Sequence, residues 1–271
     1  MVPSSIELVY DKPLLNWILS HKSSQTEPNT LFVGISAPQG IGKTSLTTRF
    51  IKTLAQTNLN AVSVSIDDFY KTHAELSTLS HNFPGNPFFC GRGLPGTHDL
   101  ELYTQFISSI TNKDSHPVVI PRYDKSLHCG QGDRLPEDQW EVVQKPIDIV
   151  FVEGWMLGFA PVKSCLVECP NLQQVNEFLS NYGIWRDSFD LFIHLDAERP
   201  EFFEKWRREA EENQQRAGKG HMTEEALDAF INKFKPCYDL YVPALRSNYP
   251  TVPCLRVVIG ENRMPLEWFA V

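Results

Sequence analysis

The stretch LFVGISAPQGIGKTSLTTR, residues 31–49, decides the fold. It opens apolar and β-prone with Leu31, Phe32, Val33 and Ile35, turns through Pro38, Gly40 and Gly42, and then takes up a helical pattern. Strand, glycine-rich loop and helix in that order form the setting of a phosphate-binding loop. The loop runs through Ala37, Pro38, Gln39, Gly40, Ile41, Gly42, Lys43, Thr44 and Ser45. Its two glycines let the backbone curl until several N–H groups aim at one anion. The helix that starts near Lys43 adds the positive end of its dipole. Lys43 is expected to reach the β- and γ-phosphates of a nucleoside triphosphate, and Thr44 to offer its hydroxyl to Mg²⁺. Ala37 stands where the strict pattern has glycine, which matters little if the backbone there needs no positive φ. An ordinary glycine turn would explain the bend, but not the Lys-Thr pair and the flanks together.

Working outward, 271 residues with 42% hydrophobic and 21% charged suit one α/β domain with a sizeable core. We expect a single domain over residues 1–271, with an N-terminal helix and linker at 1–29 and a lid at 198–222. The formal charge of −8, with no lysine- or arginine-rich run, argues against a nucleic-acid partner. The six cysteines form no C-x-x-C pair, so reduced thiols are expected rather than a zinc site or a disulfide framework. The start, MVPSSIELVYDKP, has no basic region followed by an apolar core. No apolar run approaches the roughly 18 residues of a membrane span. Together these features lead to the expectation of a cytoplasmic protein that meets no membrane.

Along the chain, AVSVSI (61–66) reads as a strand ending in Asp67 and Asp68. Ligands of open parallel sheets bind at the carboxyl ends of the strands. One carboxylate could take the proton of an acceptor hydroxyl, and the other could bind Mg²⁺ or brace the loop. Residues 71–98, rich in Pro, Gly and His, read as a long irregular functional loop or a small lid, with Arg92, His98 and Asp99 as polar heads. Asp99 also suits the N-cap of a helix beginning DLELY. PVVIP (117–121) reads as a third strand, followed by a loop carrying Arg122, Tyr123, Asp124, Lys125, His128, Asp133 and Arg134. Such mixed charge suits recognition of a small anionic, hydroxylated molecule. IDIVFV (147–152) has the apolar continuity of a buried central strand, and it ends at Glu153, placed to hold or orient Mg²⁺. His194 reads as a core or edge histidine. Residues 198–216 form a charged helix, and glycines 218 and 220 separate it from a second helix that runs to Pro243. This pair resembles a mobile lid, in which Arg207, Arg208 or Arg216 could neutralise a moving phosphoryl group. A solvated helix with pairs such as Glu204–Arg208 is the alternative.

In this order the segments SAPQGIGKT, SIDDFYKT, GLPGTHDL, IPRYDKSLHCGQGDR, FVEGWMLGF and KWRREAE resemble the plant-type D-glycerate 3-kinases and the related fungal ATP-binding kinase-like proteins. More distantly the chain is similar to uridine kinase, phosphoribulokinase and bacterial pantothenate kinase. The resemblance covers residues 31–245, and EGWMLGF and PRYDKS are more specific than the phosphate loop. It implies a P-loop NTPase-type three-layer α/β/α fold with a mostly parallel sheet and a helical lid. It also implies phosphoryl transfer from MgATP to a small-molecule hydroxyl, with D-glycerate the best single acceptor. By motif, Lys43 and Thr44 hold phosphates and metal. Asp67 stands where distant relatives place the catalytic base or a metal contact, and Glu153 lies on the metal side. Asp99, Tyr123, Asp124 and Arg134 fall in acceptor-binding stretches, and Arg207 fits the lid arginine. Lys125 or Arg134 could face the acceptor's carboxylate. The competing class is an ATP-dependent switch with no small acceptor, which would need neither Asp67 nor the polar 121–134 loop. A GTPase is disfavoured because the nearest guanine-type signal, at 112–114, has its aspartate one place early.

Overall fold

The computed structural model describes residues 9–25, 29–112, 116–218 and 222–271. In chain order the elements are α1 (Asp11–Ser24), β1 (Leu31–Ser36), α2 (Lys43–Ala55), β2 (Ala61–Ser65), α3 (His73–Asn82), α4 (Leu100–Thr111), β3 (Val118–Ile120), β4 (Tyr123–Asp124), the short turn α5 (Leu127–Gly130), β5 (Asp133–Arg134) and β6 (Glu141–Val143). There follow β7 (Ile149–Gly154), α6 (Pro170–Leu179), α7 (Gly183–Asp187), β8 (Leu191–Ala197), α8 (Phe202–Arg216), α9 (Glu224–Ser247), β9 (Cys254–Ile259) and β10 (Pro265–Ala270).

Six strands form the central sheet in the order β10-β9-β8-β1-β7-β2. All neighbours are parallel except β10, which turns back antiparallel on β9. Side chains alternate between the faces of a strand, so β1 feeds two cores. Leu31, Val33 and Ile35 pack with Leu14 and Ile18 of α1 and with Leu46, Phe50 and Leu54 of α2. Phe32 points the other way, into a larger core with Val62, Val150, Phe192, Tyr103, Val175 and Tyr241. Helices therefore cover both faces of a mostly parallel sheet, the three-layer α/β/α arrangement. Burial on both faces explains why β1 and β7 are fully buried and open with the apolar runs 31–35 and 149–152.

Three expectations are corrected and one is refined. Residues 71–98 are not wholly irregular: Thr72 and Glu75 form a capping box that starts α3. PVVIP does form a strand, but β3 pairs antiparallel with β6 outside the main sheet. The last long helix does not stop at Pro243. It carries Pro236 and Pro243 inside its 24 residues, because buried Tyr238, Tyr241, Val242 and Leu245 hold it against the core on both sides of the second proline. The pair Glu204–Arg208 does not form; Glu204 instead meets Lys235 at 2.8 Å and Arg208 meets Asp228, both on α9. Asp148, which interrupts the apolar run before β7, accepts the backbone N–H of Asn60 at 2.8 Å and so ties the starts of β2 and β7. Gly220, expected in a lid tip, and residues 113–114 of the guanine-type signal lie outside the described residues. Among the described residues, no helix is long and apolar enough to cross a membrane.

Candidate active site

The phosphate loop sits where β1 ends. Gly40 and Gly42 take φ values of 82° and 102°, the left-handed region that a side chain resists. Gly40 has a second reason to be glycine: a Cβ there would lie 2.4 Å from the backbone of Trp206. Helix α8 thus lies directly on the loop. Ala37 needs no positive φ. Its N–H donates to Gly154 O at 3.1 Å, which fixes the loop to β7. Lys43 Nζ donates to Ala37 O at 2.9 Å and Pro38 O at 3.1 Å. Burial pulls the Lys43 ammonium down from its usual pKa, while Glu153 and Asp67 oppose that shift.

Parallel pairing places Ile35 opposite Glu153 and Ser65 opposite Glu153 from the other side. Register therefore delivers one buried carboxylate to the foot of α2, where Thr44 Oγ1 donates to Glu153 Oε1 at 2.7 Å. These are hard oxygen donors side by side, the chemistry that suits Mg²⁺. Among the described residues no three His, Cys, Asp or Glu side chains gather as a metal cage.

Past β2 the chain enters a 3₁₀ turn, Ile66–Phe69, closed by a capping box between Ser65 and Asp68. The box separates the two aspartates. Asp68 accepts Ser65 N–H at 3.0 Å and pairs with Arg122 at 3.0 Å. Burial pushes its carboxyl up to about 6, against the pull of Arg122. Asp67 instead turns toward the loop side, where it pairs with Lys125 and accepts the Tyr70 hydroxyl. Burial acts to raise its pKa, but the Lys125 ammonium and the Tyr70 hydrogen bond hold it well below the usual carboxylate range.

The remaining expected residues divide. Asp99 caps α4, accepting Leu102 N–H at 3.0 Å, and also pairs with Arg134 at 2.8 Å. Arg134 reaches Tyr70 O at 2.9 Å as well, so this pair braces the segment beside Asp67. Tyr123 lies edge-on to Tyr70 with 5.3 Å between ring centroids, under the guanidinium of Arg92. Asp124 is spent on its own turn, accepting Ser126 N–H at 2.8 Å and Ser126 Oγ–H at 2.6 Å. Arg207 pairs with buried Glu211 and lies over the Phe230 ring at 4.9 Å. Burial lowers its pKa, and both Glu211 and Asp67 act on it, so α8 carries it within electrostatic reach of Asp67. Arg208 and Arg216 point to solvent in exposed pairs. His194 is buried and shares a 2.8 Å hydrogen bond with the Tyr249 hydroxyl.

Three further residues reach the site from far along the chain. Tyr238 Oη accepts Gln39 N–H at 3.1 Å, Arg263 donates to Gly40 O at 3.2 Å, and Lys233 donates to the carbonyls of Cys90 at 2.8 Å and Arg92 at 3.1 Å. Tyr238 and Arg263 lie 199 and 223 positions from their loop partners, beyond any local spacing.

A phosphate-binding loop, a carboxylate at the end of the neighbouring strand and a second carboxylate over the loop define a P-loop kinase. The comparisons make the class specific. The chain is 34% identical to the uncharacterized kinase mug58 of Schizosaccharomyces pombe, over 97% of this chain and 99% of that protein. It is 32% identical to the chloroplastic D-glycerate 3-kinase of Arabidopsis thaliana over 87% of this chain, and it spans about half of that protein's length, 54%. It superposes on the solved D-glycerate 3-kinase of Cryptococcus neoformans with a TM-score of 0.86 and 30% identity, covering 96% of this chain and 99% of that one. No protein-family model matches the chain. The chain belongs to the D-glycerate 3-kinase family and its fungal kinase-like members, and it is a small-molecule kinase.

Proposed function

We propose that the protein transfers the γ-phosphoryl group of MgATP to a hydroxyl of a small acid, D-glycerate being the best acceptor. The observation that carries this reading is the position of Asp67. It is held at the end of β2, in electrostatic contact with Lys43 of the phosphate loop and Lys125 of the acceptor loop. A switch protein would not need a carboxylate there.

In this reading the backbone N–H groups of residues 40–45 cradle the phosphates, and Lys43 leaves the carbonyls of Ala37 and Pro38 for phosphate oxygens. Thr44 and Glu153 would hold Mg²⁺, which neutralises charge on the phosphates when bound. Asp67 orients the acceptor hydroxyl and takes its proton. Asp68 is the poorer candidate, because Ser65 and Arg122 already use it. Arg207, held by Glu211 and Phe230, stabilises charge on the transferring group from the lid side. Asp99 and Arg134 brace the acceptor side, with Tyr123 as its aromatic wall and Asp124 setting the turn that carries Lys125.

The test is ADP release from MgATP by the purified protein, alone and with D-glycerate, uridine, pantothenate or ribulose 5-phosphate. Strong stimulation by D-glycerate is expected. Stimulation by uridine alone would replace the acceptor, and no stimulation by any compound would remove the kinase reading of Asp67.

A further inference from the structure

We propose that Lys125 selects acceptors that carry a negative charge, and that it does so by exchanging its ion pair with Asp67 for one with the acceptor's carboxylate. The inference rests on the kinase reading above and adds to it the residue that reads the acceptor's charge and the event that frees the base.

Two donors meet the Asp67 carboxylate: the Lys125 ammonium on Oδ2 and the Tyr70 hydroxyl. The carboxylate keeps lone pairs free for an incoming hydroxyl, but each donor makes Asp67 a weaker base, so the departure of one donor favours the proton transfer. Tyr70 is fixed, because its side chain is buried and its carbonyl is held by Arg134 at 2.9 Å. Lys125 is different. Its side chain is 57% exposed, and it stands on a rigid turn from which the flexible stem can swing. That turn is pinned by Asp124 through Ser126 and by Arg92, whose guanidinium donates to Gly130 O at 2.9 Å and to Gln131 O.

Three neighbouring cations, Arg134, Arg122 and Lys233, are already engaged. Arg134 is committed to Asp99, which also caps α4. Arg122 bridges Asp68 and Glu141. Lys233 is turned into the carbonyls of Cys90 and Arg92. Lys125 thus combines exposure with direct contact to the proposed base. A carboxylate on the acceptor competes with Asp67 for the ammonium at equal charge, so the exchange costs little, and each new bond is charge-assisted. A neutral acceptor offers no such exchange. It meets an Asp67 that is still covered, and water meets the same barrier, which limits hydrolysis of ATP before the acceptor arrives.

The experiment compares wild type, Lys125→Met and Lys125→Arg. For each, ADP release from MgATP is measured with no acceptor, with D-glycerate and with glycerol, its uncharged counterpart. Thermal unfolding confirms that each variant folds. The proposal expects Lys125→Met to raise the KM for D-glycerate by about tenfold or more. It also expects a severalfold rise in hydrolysis without acceptor and a loss of the preference for D-glycerate over glycerol. Lys125→Arg should restore most of the preference. An unchanged KM together with unchanged hydrolysis in Lys125→Met would overturn the exchange. So would a wild type that uses glycerol as well as D-glycerate. If another acid stimulates the wild type in place of D-glycerate, the glycerate reading falls while the exchange is supported. If only neutral compounds stimulate it, the exchange is overturned and the kinase remains.

Discussion

The phosphate loop and the acceptor side face each other across the same strand ends, yet they are held in opposite ways. The loop's curve is set by neighbours in sequence, although Tyr238 and Arg263 brace it from far along the chain. Lys43 bonds carbonyls five and six positions away, and two glycines supply the backbone angles. The acceptor side is assembled from distant partners: Asp67 and Lys125 are 58 positions apart, Asp68 and Arg122 are 54 apart, and Asp99 and Arg134 are 35 apart. A site that grips the same phosphates in every turnover can be local and stiff. One that must admit, recognise and release an acceptor is better built from ion pairs that can be traded.

The largest expected effect lies in the loop. Lys43→Ala should lower turnover of MgATP about a thousandfold and leave the unfolding midpoint nearly unchanged, as measured by steady-state assay beside thermal melting. Survival of turnover would show that the loop is not the phosphate grip. Asp67→Asn comes next. Transfer should fall by about a hundredfold or more while nucleotide affinity, read by calorimetry, persists. If affinity is lost instead, Asp67 belongs with the metal and the contrast between the two regions blurs.

Smaller effects test how firmly the acceptor side is braced. Arg134→Met leaves the Asp99 carboxylate short of its cation in a setting where Arg134 is only 15% exposed. A loss of about 2 kcal/mol in denaturant unfolding is expected, with a raised KM for the acceptor. Arg216→Gln, in an exposed pair, should change stability by about 0.5 kcal/mol or less. Equal losses in the two variants would mean that the Asp99–Arg134 pair carries no special load.

A separate effect concerns acid. His98, on the acceptor side, and His194, on β8, are both buried, and burial lowers them to about 3 and about 4 against ordinary values near 6.5. Their unfolded forms bind protons more readily than the folded ones. The stability they contribute is therefore complete above pH 6.5 and lost as pH falls toward those lower values. Each should cost about 1 kcal/mol at pH 5.5 relative to pH 8. Replacing His98 by Gln should flatten its share of a stability-against-pH curve, and an unchanged slope would contradict its burial in the neutral form.

What could be read from the amino-acid order follows the same division. The loop, β1, α2 and the carboxylate of Glu153 were legible, because strand periodicity, glycine geometry and a buried apolar run are local signals. The box Thr72-x-x-Glu75 that starts α3 was also on the page, but the Pro- and Gly-rich residues after it hid the helix. β3 could be read as a strand, yet its partner could not, since β6 is a short, largely exposed segment with no apolar alternation. Which aspartate of the pair faces the loop depended on a capping box that claims Asp68. The pairing of Asp67 with Lys125 depends on how two loops fold toward each other, and no spacing encodes it. Tyr238 and Arg263 reach the loop only because α9 and the β9–β10 hairpin return to it.

The most direct test of the account follows the phosphorus itself. Wild-type protein in excess over γ-labelled MgATP is mixed with D-glycerate for a single turnover, and the products are separated. The account predicts that the label moves to phosphoglycerate and that Asp67→Asn abolishes this transfer. Label released only as inorganic phosphate, at a rate that D-glycerate does not change, would contradict it.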